Sequence, residues 1–439
     1  MKRLISLLLT AVMLLSLTAC GSKSEAPDEG EAGTEEVSYE VTEPITIQFW
    51  HNYSNEMRAK WLDDVAKKFS ESQEYITVEC SYIGGYPTIA EQVAGALAAG
   101  SGLPALSMIN VPRVLNWADS GVIEPLDGYL ENMDFDADDF FEGMLNSVAT
   151  EDGTTYALPF GISAGVCIYN KTLLDELNLP FPETWEDFKT WCKDVYEATG
   201  KCAFAFPYDF NYMNTFFLNV TGIDPLGDGT KSALDDERVI TFVKELKELV
   251  DAGYCCWMGA KINAAQDDQM AAFALQEIAA YTDTSSGVMK VMDSVDFEVG
   301  TAIGVSGTDA PAITTSSGAA LVVFADNDQA VKTAAMQFAA YLTNAENAAA
   351  WAADTCMFPV RKSSVDSGVL QATYEKYPGV KTIFSEAANI IGKNKSPAMQ
   401  TCMEIVVGTL GDYLKGNVSD FDSAWATMQK EVDIELADS

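Results

Sequence analysis

The hydrophobic residues from residue 45 onward switch repeatedly between strand-like and helix-like spacing. Residues 45–49 alternate between apolar and polar side chains, which predicts a strand, and residues 57–69 repeat apolar side chains at helical spacing. The same pair recurs, with strands predicted at 76–80 and 106–109 and helices at 89–99 and 111–120. Alternating strands and helices predict an α/β fold with a parallel sheet covered on both faces.

A turn at residues 152–155 separates this block from a second one of the same kind. Thr184 is a predicted helix N-cap, with Asp187 three residues later. The second block predicts strands at 166–169, 203–206, 298–303 and 319–324 and helices at 239–250 and 330–342, followed by a mainly helical segment. A chain of 439 residues is long enough for two or three domains, or for one fold made of two large lobes.

The first twenty residues predict export from the cell. A basic start at Lys2 and Arg3 precedes the apolar run 4–19, which is too short to cross a bilayer comfortably. Small residues then precede Cys20, a pattern that resembles a bacterial lipobox. We expect 1–19 to be a signal peptide and Cys20 to carry the lipid that anchors the protein to the cell membrane on its extracellular face, or on the periplasmic side where an outer membrane is present. An ordinary cleaved signal with a chance cysteine is the alternative.

Residues 20–44 are rich in acidic and small side chains. This composition predicts a disordered acidic tether behind the lipidated cysteine. A flexible segment of this length reaches roughly 27 Å, and more when its charges repel each other. The folded part is therefore expected to hang just outside the membrane.

The charge balance excludes several function classes. With 65 acidic and 27 basic residues, the chain has a net charge of −38, which disfavours nucleic acid as a partner. One histidine rules out a multi-histidine metal site, and no C-x-x-C pair is present. We predict no metal site and no cofactor. The remaining cysteines are expected to be mostly buried free thiols, with Cys255 and Cys256 or one distant pair as the exception.

Several short passages resemble one family of transport receptors, the extracellular solute-binding proteins of the family 1 carbohydrate class. These passages are Phe49-Trp50-His51; Leu158-Pro159-Phe160-Gly161 leading to Ile168-Tyr169-Asn170-Lys171; Pro182-Glu183-Thr184-Trp185; Tyr341-Leu342-Thr343-Asn344-Ala345-Glu346-Asn347 with Trp351; and Phe358-Pro359-Val360-Arg361. Each passage is weak alone, but their order behind a lipobox-like signal is specific.

The resemblance implies a two-lobed periplasmic-binding-protein-like (type II) fold with hinge strands and a ligand cleft between the lobes. It implies residues 45–155 with about 285–345 in lobe 1, and 156–284 with about 346–439 in lobe 2. Such lobes close around a ligand, and the closed form is recognised by the membrane permease of an ABC importer. No covalent chemistry is expected, and a monomer is expected.

Within that class the chain is most similar to glycerol-phosphate-binding receptors, through Phe49-Trp50-His51, Gly85-Tyr86, Ser285-Ser286-Gly287 and Ser317-Gly318-Ala319. It departs from them at Met357, where those receptors have a tyrosine, and near Gly392-Lys393, where they have a phosphate-binding arginine. Phosphate is usually bound by arginine or by a helix N-terminus. We therefore expect a neutral sugar or oligosaccharide, with glycerol phosphate or another polyol phosphate as the alternative.

A sugar-binding cleft needs flat aromatic rings and polar side chains that pair with hydroxyls. The candidate aromatic and polar-aromatic contacts are Trp50, His51, Tyr86, Trp117, Tyr208, Tyr212 and Trp257. The candidate polar contacts are Asn110, Ser163, Asp283, Ser285, Ser286, Gly318 and Arg361. For the aromatic residues, the alternative is packing in the core. For Ser285 and Ser286, which directly precede a predicted helix, the alternative is helix capping, and for Arg361 it is a surface salt bridge.

Three other functions are alternatives to that of a receptor: a serine hydrolase, a glycoside hydrolase, and a surface adhesin or scaffold. Residues 161–165 fit the G-x-S-x-G pattern of hydrolases, but the only histidine, His51, precedes the serine, whereas those enzymes need a later one. A secreted glycoside hydrolase needs two carboxylates in its cleft and no histidine, so it stays open. A surface adhesin or scaffold would lack a deep cleft between lobes.

The aspartates near Gly227 lack the spacing of a calcium loop.

Overall fold

A single ten-stranded sheet runs through the protein in this computed structural model, which describes residues 38–133, 135–259, 265–307, 310–393, 396 and 398–437. The strands are β1 (Ile45–His51), β2 (Ile76–Tyr82), β3 (Leu106–Asn110), β4 (Leu158–Asn170), β5 (Cys202–Pro207), β6 (Cys255–Met258), β7 (Ile278–Thr284), β8 (Val299–Ala302), β9 (Thr314–Val323) and β10 (Ile390–Ile391). The predicted signal peptide, Cys20 and most of the predicted tether lie outside the described residues.

The helices that cover the sheet follow the predicted order. They are α1 (Glu56–Ser72), α2 (Tyr86–Ala99), α3 (Val111–Asp119), α4 (Asp127–Asn132), α5 (Glu142–Asn146), α6 (Lys171–Leu177), α7 (Trp185–Thr199), α8 (Phe210–Thr221), α9 (Glu237–Asp251), α10 (Ala265–Ala274), α11 (Val288–Asp293), α12 (Gln329–Leu342), α13 (Ala345–Thr355), α14 (Gln371–Lys376), α15 (Pro378–Ser385), α16 (Met399–Leu414) and α17 (Phe421–Ala437). Within the described residues, no helix has the length and apolar character needed to cross a membrane.

Local signals in the sequence explain several of these helix ends. The Thr184 hydroxyl accepts a hydrogen bond from the backbone N–H of Asp187, which confirms the predicted N-cap of α7. At the other end of α7, Gly200 takes a left-handed conformation with φ of 66° and closes the helix. The first turn of α3 contains Pro112. Proline is tolerated there because a backbone N–H in the first turn has no partner inside the helix, so its absence costs nothing.

The sheet is mixed, which corrects the prediction of a parallel sheet. Strand order is β2-β1-β3-β9-β4-β7-β5-β6, with β10 beside β9 and β8 beside β4. The outer pairs β1–β2, β1–β3, β5–β6 and β5–β7 are parallel, but β3–β9, β4–β9 and β4–β7 are antiparallel. Alternation along the sequence fixes the local order of elements, but it carries no information on the direction in which β9 enters between β3 and β4.

Strand β4 joins the two halves of the sheet. Its first half pairs with β9, from Leu158 to Ala164, and its second half pairs with β7, from Gly165 to Tyr169. A single strand therefore belongs to both halves, and any rotation of one half against the other has to bend this strand.

Two separate hydrophobic clusters pack on the sheet. The first surrounds β1, β3 and β9 and includes Phe49, Phe338 and Trp351. The second surrounds β5 and β6 and includes Phe188 and Phe206. Buried residues of α13 to α15 belong to the first cluster and those of α16 and α17 to the second. The lobe boundaries stay a prediction, and these clusters favour placing 345–390 with lobe 1.

Candidate functional site

An internal cavity of about 240 Å³ lies where β3 ends beside β9. Its described lining residues come from five separate parts of the chain, and they are mainly small or polar. They are Tyr86, Asn110, Val111, Pro112, Leu115, Ser147, Ser316, Ser317, Gly318 and Lys393. We call this space the inner cavity.

Strand pairing brings the first polar groups of the inner cavity together. Asn110 is the last residue of β3 and pairs with Ala319 of the antiparallel neighbour β9. This register places Asn110 beside Gly318 and close to Ser317. Helix α3 begins immediately after Asn110, so the positive end of its dipole also lies at the cavity.

Gly318 allows β9 to approach β4 closely beside the inner cavity. Its φ of 116° is a conformation that residues with a side chain rarely adopt, and a Cβ there would lie 2.3 Å from the carbonyl oxygen of Gly161. The β4–β9 register shifts at this point, between Phe160 and Ile162. Glycine at 318 is therefore required by the backbone, which gives it a structural reason apart from any ligand contact.

Lys393 supplies the one positively charged side chain among the described residues that line the inner cavity. Its Nζ donates hydrogen bonds to Oδ1 of Asn211 and to Oγ of Ser317, each at 2.7 Å. Burial lowers the pKa of Lys393 to about 8, while the more distant charge of Asp209 raises it. No carboxylate in the described part of the chain lies within ion-pair distance of this ammonium. A ligand with an anionic or hydroxyl oxygen would find a donor here.

Two acceptor atoms at the inner cavity have no hydrogen-bond partner among the described residues. They are Oδ1 of Asn110 and Oγ of Ser316, and both atoms are out of contact with solvent. An unpaired buried oxygen costs about 1–3 kcal/mol, so a partner supplied by a ligand or by water would be favourable. These two oxygens therefore mark polar positions at which a hydroxyl group would be stabilised.

A second cavity of about 670 Å³ adjoins the first at Leu115, which lines both. We call it the outer cavity. Its described lining residues are Leu115, Asn116, Ala118, Asp119, Thr150, Glu151, Asp152, Tyr156, Asp228, Gly229, Thr230, Ser396 and Leu436. Hydrogen bonds from Thr150 and Thr230 lower the pKa of Asp152 and of Asp228, respectively, so these two carboxylates stay ionised.

Three of the predicted ligand-binding residues line the inner cavity. Tyr86 at the start of α2 presents the one aromatic ring there among the described residues, and burial raises its pKa to about 12. Asn110 and Gly318 are the other two. Ser163 is one step away, because it pairs with Ser317 in the β4–β9 ladder.

Trp50, His51 and Trp117 lie apart from the described cavity linings. Trp50 is half-buried in β1, between its neighbours β2 and β3. The His51 ring is buried, and its Nδ1 accepts a hydrogen bond from the backbone N–H of Tyr53. Burial lowers the pKa of His51, so the ring is neutral. Trp117 packs on Phe324, with ring centroids 5.8 Å apart.

A second group of predicted residues lies at the far half of the sheet. The Tyr208 and Trp257 rings meet edge to face with centroids 6.2 Å apart, and Trp257 is buried in the second hydrophobic cluster. Tyr212 packs against Gly165 of β4. Asp283 on β7 is buried, which raises its pKa to about 6. The structure does not bring these four side chains to the inner cavity.

The two predicted serines precede α11 and bind other parts of the chain. Oγ of the buried Ser285 accepts the backbone N–H of Ala164 at 3.4 Å. Oγ of Ser286 lies 3.2 Å from the hydroxyl of Thr284. Ser285 therefore fixes the strand β4 at its midpoint, where pairing passes from β9 to β7.

Arg361 has buried partners away from the inner cavity. Its Nε donates to the carbonyl oxygen of Thr343 at 2.8 Å, and its Nη1 donates to the carbonyl oxygen of Asp136. The guanidinium stacks on Phe140 and Phe135, 4.1 and 4.7 Å from the ring centroids. The Nη1 of Arg361 also lies 3.9 Å from Oδ2 of Asp139, so the arginine forms an ion pair, as the salt-bridge alternative predicted. This ion pair is not at the surface on the arginine side, because Arg361 is only 5% exposed.

Sequence reasoning did not select several residues of the inner cavity, above all Ser147, Ser316, Ser317 and Lys393. A signal existed for two of them. Ser317 stands in the Ser317-Gly318-Ala319 passage, and Lys393 stands where related receptors have an arginine. Ser147 and Ser316 carried no signal, because single serines are common and their approach depends on tertiary structure.

Another groove, of about 620 Å³, lies beside Trp185, and most of its charged groups are paired. Glu245 accepts hydrogen bonds from Nε1 of Trp185 and from Nζ of Lys189, at 2.6 and 3.0 Å. Arg238 donates twice to Asp236. This groove therefore offers a ligand few unpaired polar groups.

Comparison with known proteins shows the family. The model of the bacterial extracellular solute-binding proteins matches residues 64–382. The chain belongs to this family. It is 24% identical over 359 residues to the sn-glycerol-3-phosphate-binding periplasmic proteins UgpB of Shigella dysenteriae serotype 1 (strain Sd197) and Escherichia coli (strain K12). Each of these matches covers 78% of this chain and 81% of the relative.

Solved structures of similar shape include sugar-binding proteins and UgpB in complex with glycerophosphocholine. The cyclic alpha-maltosyl-1,6-maltose binding protein from Arthrobacter globiformis has a TM-score of 0.76 at 20% identity, covering 90% of this chain and all of that one. UgpB from Mycobacterium tuberculosis in complex with glycerophosphocholine has a TM-score of 0.71 at 20% identity, covering 90% and 98%. MalE from Xanthomonas citri scores 0.75 at 19%, with the same coverage. This likeness confirms the predicted α/β fold class of two-lobed solute-binding proteins.

Proposed function

We propose that this protein is the substrate-binding receptor of an ABC importer and that it captures a sugar or oligosaccharide outside the membrane. The observation that supports this most directly is the inner cavity, where Oδ1 of Asn110 and Oγ of Ser316 are buried and have no partner among the described residues. Two unpaired acceptors on residues that line one small cavity suit a ligand that carries several hydroxyl donors.

The remaining lining of the inner cavity suits a sugar ring. The Tyr86 ring provides an aromatic surface for the C–H face of a sugar, and Lys393 and Ser317 provide donors for its oxygens. A volume of about 240 Å³ is below the roughly 300–1,000 Å³ of drug-sized sites, so it suits one ring or a small polyol. Further sugar units of an oligosaccharide would extend past Leu115 into the outer cavity.

A second candidate ligand, glycerol phosphate or another polyol phosphate, is favoured by Lys393 specifically. An ammonium without a carboxylate partner, placed near the N-terminus of α3, would stabilise a phosphate group. Lysine binds phosphate as a point charge, whereas the arginine of related receptors binds it through two parallel hydrogen bonds. With lysine at position 393 instead of arginine, we expect weaker binding of phosphate. A neutral sugar therefore stays our first choice.

The inner cavity supports binding without catalysis. None of its described lining residues is Asp or Glu, whereas a glycoside hydrolase needs a carboxylate pair beside the scissile bond. In the outer cavity, hydrogen bonding lowers the pKa of Asp152 and Asp228, which disfavours either as a general acid. We therefore propose that the ligand is released chemically unchanged.

The permease partner proposed here is supported by family membership, and the lipid anchor by the lipobox-like pattern before Cys20. Rotation of the two lobes about β4 would close the cleft, and the membrane permease would recognise the closed form. A lipid on Cys20 would hold the receptor near that permease, and we propose that it acts as a monomer.

A thermal-shift screen tests the proposed ligand class. Full-length protein is mixed with mono- and oligosaccharides, glycerol phosphate and glycerophosphodiesters, because a ligand that binds only the folded state raises the melting temperature. We expect a neutral sugar to give the largest rise and to be recovered intact by chromatography. A rise with phosphorylated compounds alone would favour the second candidate, and cleavage of the ligand would contradict the receptor.

A further inference from the structure

Two cysteine pairs meet where α7, β5 and β6 pack together. The sulfur atoms of Cys202 and Cys256 lie 2.7 Å apart, and those of Cys192 and Cys255 lie 3.4 Å apart. The first pair is half-buried and faces the first hydrophobic cluster, whereas the second is buried within the second cluster. The adjacent residues Cys255 and Cys256 therefore point to opposite faces of the sheet.

We propose that Cys202 and Cys256 form a disulfide bond in the exported protein. A disulfide bond is about 2.0 Å long, so the two sulfurs need to approach by less than an ångström. Their strands β5 and β6 are hydrogen-bonded neighbours from the pair Phe204–Cys255 onward. Cys256 pairs with Ala205, and Cys202 lies three residues before Ala205, so the bond would cross between the strands diagonally at the start of this ladder. Members of this family act outside the cytoplasm, where disulfides form and persist.

The oxidation proceeds by exchange with an external disulfide, either of a protein oxidoreductase or of a small thiol compound. We assign the second step to Cys202, because its hydrogen bond with the Cys256 sulfur and its burial raise its pKa, and the first attack on the external disulfide to Cys256. Its attack forms a mixed disulfide and releases one thiol of the oxidant. Cys202 then loses its proton and displaces the second thiol. Two protein thiols are oxidised, and one external disulfide is reduced to two thiols.

The bond would join β5 to β6 covalently, and buried residues of both strands belong to the second hydrophobic cluster. It closes the loop 202–256, which includes α8 and therefore Asn211, the residue that accepts a hydrogen bond from Lys393. A crosslink across a loop of this length restricts the unfolded chain and stabilises the folded state. The inference does not depend on which ligand the receptor binds.

The second cysteine pair serves as an internal comparison. Cys192 and Cys255 are 0% and 2% exposed, so an external disulfide has no access to either sulfur in the folded state. Their sulfurs are also further apart than those of the first pair. We expect Cys192 and Cys255 to remain thiols, as we do the lone half-buried Cys80.

Differential alkylation tests the bond directly. Full-length protein isolated from the exporting compartment is denatured, alkylated, reduced and alkylated with a second, mass-labelled reagent, and its peptides are then mapped. We expect only Cys202 and Cys256 to carry the second label, in a linked peptide pair before reduction. Free thiols at both positions, or a link between Cys192 and Cys255, would overturn the proposal, and neither result requires a folded variant.

Melting temperature provides an independent readout. A reductant should lower it by about 5 °C or more, because the crosslink no longer restricts the unfolded chain. The double variant Cys202→Ser with Cys256→Ser should melt at the lower temperature with or without reductant. Cys80→Ser is the matched control and should keep the full sensitivity to reductant. An unchanged melting temperature in the reduced wild type would contradict the proposed bond.

Discussion

The ammonium of Lys393 lies 2.7 Å from the hydroxyl oxygen of Ser317, and this contact joins two distant parts of the chain at the inner cavity. Ser317 lies on β9, and Lys393 follows the short strand β10, which pairs with β9 in parallel. The pairing of β10 with β9 thus determines where the positive charge enters the cavity. Lys393 is consequently the side chain whose replacement best separates the two ligand candidates.

Replacing Lys393 by methionine should distinguish a neutral from an anionic ligand. Loss of a hydrogen bond to a charged group costs about 1.5–3 kcal/mol, so affinity for a phosphorylated ligand should fall at least tenfold. Affinity for a neutral sugar should fall less. Calorimetric titration measures both values, and Lys415→Met is the control because Lys415 stacks on Tyr208 and lines neither cavity.

The same lysine predicts a pH dependence for an anionic ligand. Because its pKa in the folded protein is lowered to about 8, the positive charge is present below pH 8 and is lost as pH rises through that value. Affinity for a phosphorylated ligand should therefore weaken above about pH 8, and the Lys393→Met variant should lose this dependence. A pH-independent affinity for a phosphorylated ligand in the wild type would show that Lys393 does not contact it.

Replacing Gly318 by alanine should destabilise the protein. The new Cβ would lie 2.3 Å from the carbonyl oxygen of Gly161, and the residue would keep a φ that alanine disfavours. Gly102→Ala is a matched control, because Gly102 also has a positive φ, of 91°, but has open space around its Cβ position. We expect the control to lose about 1 kcal/mol of unfolding free energy and Gly318→Ala to lose clearly more. Equal losses in chemical denaturation would mean that the β4–β9 approach is not as close as described.

Replacing Asp283 by asparagine should stabilise the protein at neutral pH. Burial raises the pKa of this carboxyl from 3.8 to about 6, so between these two values the folded state holds a proton that the unfolded chain has released, and above them the folded state carries a buried charge. Its contribution to stability falls as pH rises through this window and costs about 3 kcal/mol above it. Asp283→Asn should therefore exceed the wild type in unfolding free energy at pH 7.5 and match it near pH 4. Asp296→Asn, at an exposed position, is the matched surface control.

Replacing Arg361 by leucine should lower stability while leaving ligand affinity unchanged. The substitution removes the donors to the carbonyl oxygens of Thr343 and Asp136 and the stacking on Phe140. Unpaired buried carbonyls cost about 1–3 kcal/mol each, so a loss of about 3 kcal/mol in unfolding free energy is expected. Arg238→Leu is the control, since Arg238 pairs only with Asp236 at the surface. A large loss of ligand affinity in a folded Arg361→Leu protein would return this arginine to the binding site.

Local patterning predicted most elements of the fold but not their pairing. Residues 45–49 became β1, and residues 239–250 fall within α9, because one buried face is enough to set a period of two or of 3.6 residues. The antiparallel entry of β9 was missed because strand direction depends on long-range contacts. The resemblance of Ser317-Gly318-Ala319 to a receptor family could be found in the sequence, but the close approach of Gly318 to β4 could not.

The candidate site was predicted only in part, for a physical reason. Tyr86 begins α2, Asn110 ends β3 and Gly318 lies within β9, and Tyr86 and Gly318 stand in passages that resemble the receptor family. Trp257 was selected as an aromatic residue and Arg361 for its place in the passage Phe358-Pro359-Val360-Arg361, and both lie packed against other parts of the chain. Composition shows that a tryptophan or an arginine is present, but only tertiary packing decides whether its ring or charge faces a cavity.

Ligand binding by a double variant tests the central claim most directly. Asn110→Leu with Ser316→Val removes the two unpartnered acceptors of the inner cavity and leaves the rest of its lining in place. The sugar that gives the largest thermal shift is titrated calorimetrically into the wild type and this variant, and recovered afterwards. We predict that the variant folds with at least the wild-type melting temperature, that its affinity for the sugar falls more than tenfold, and that the sugar is recovered intact from both proteins. Unchanged affinity in the variant, or a sugar that is cleaved, would contradict the account.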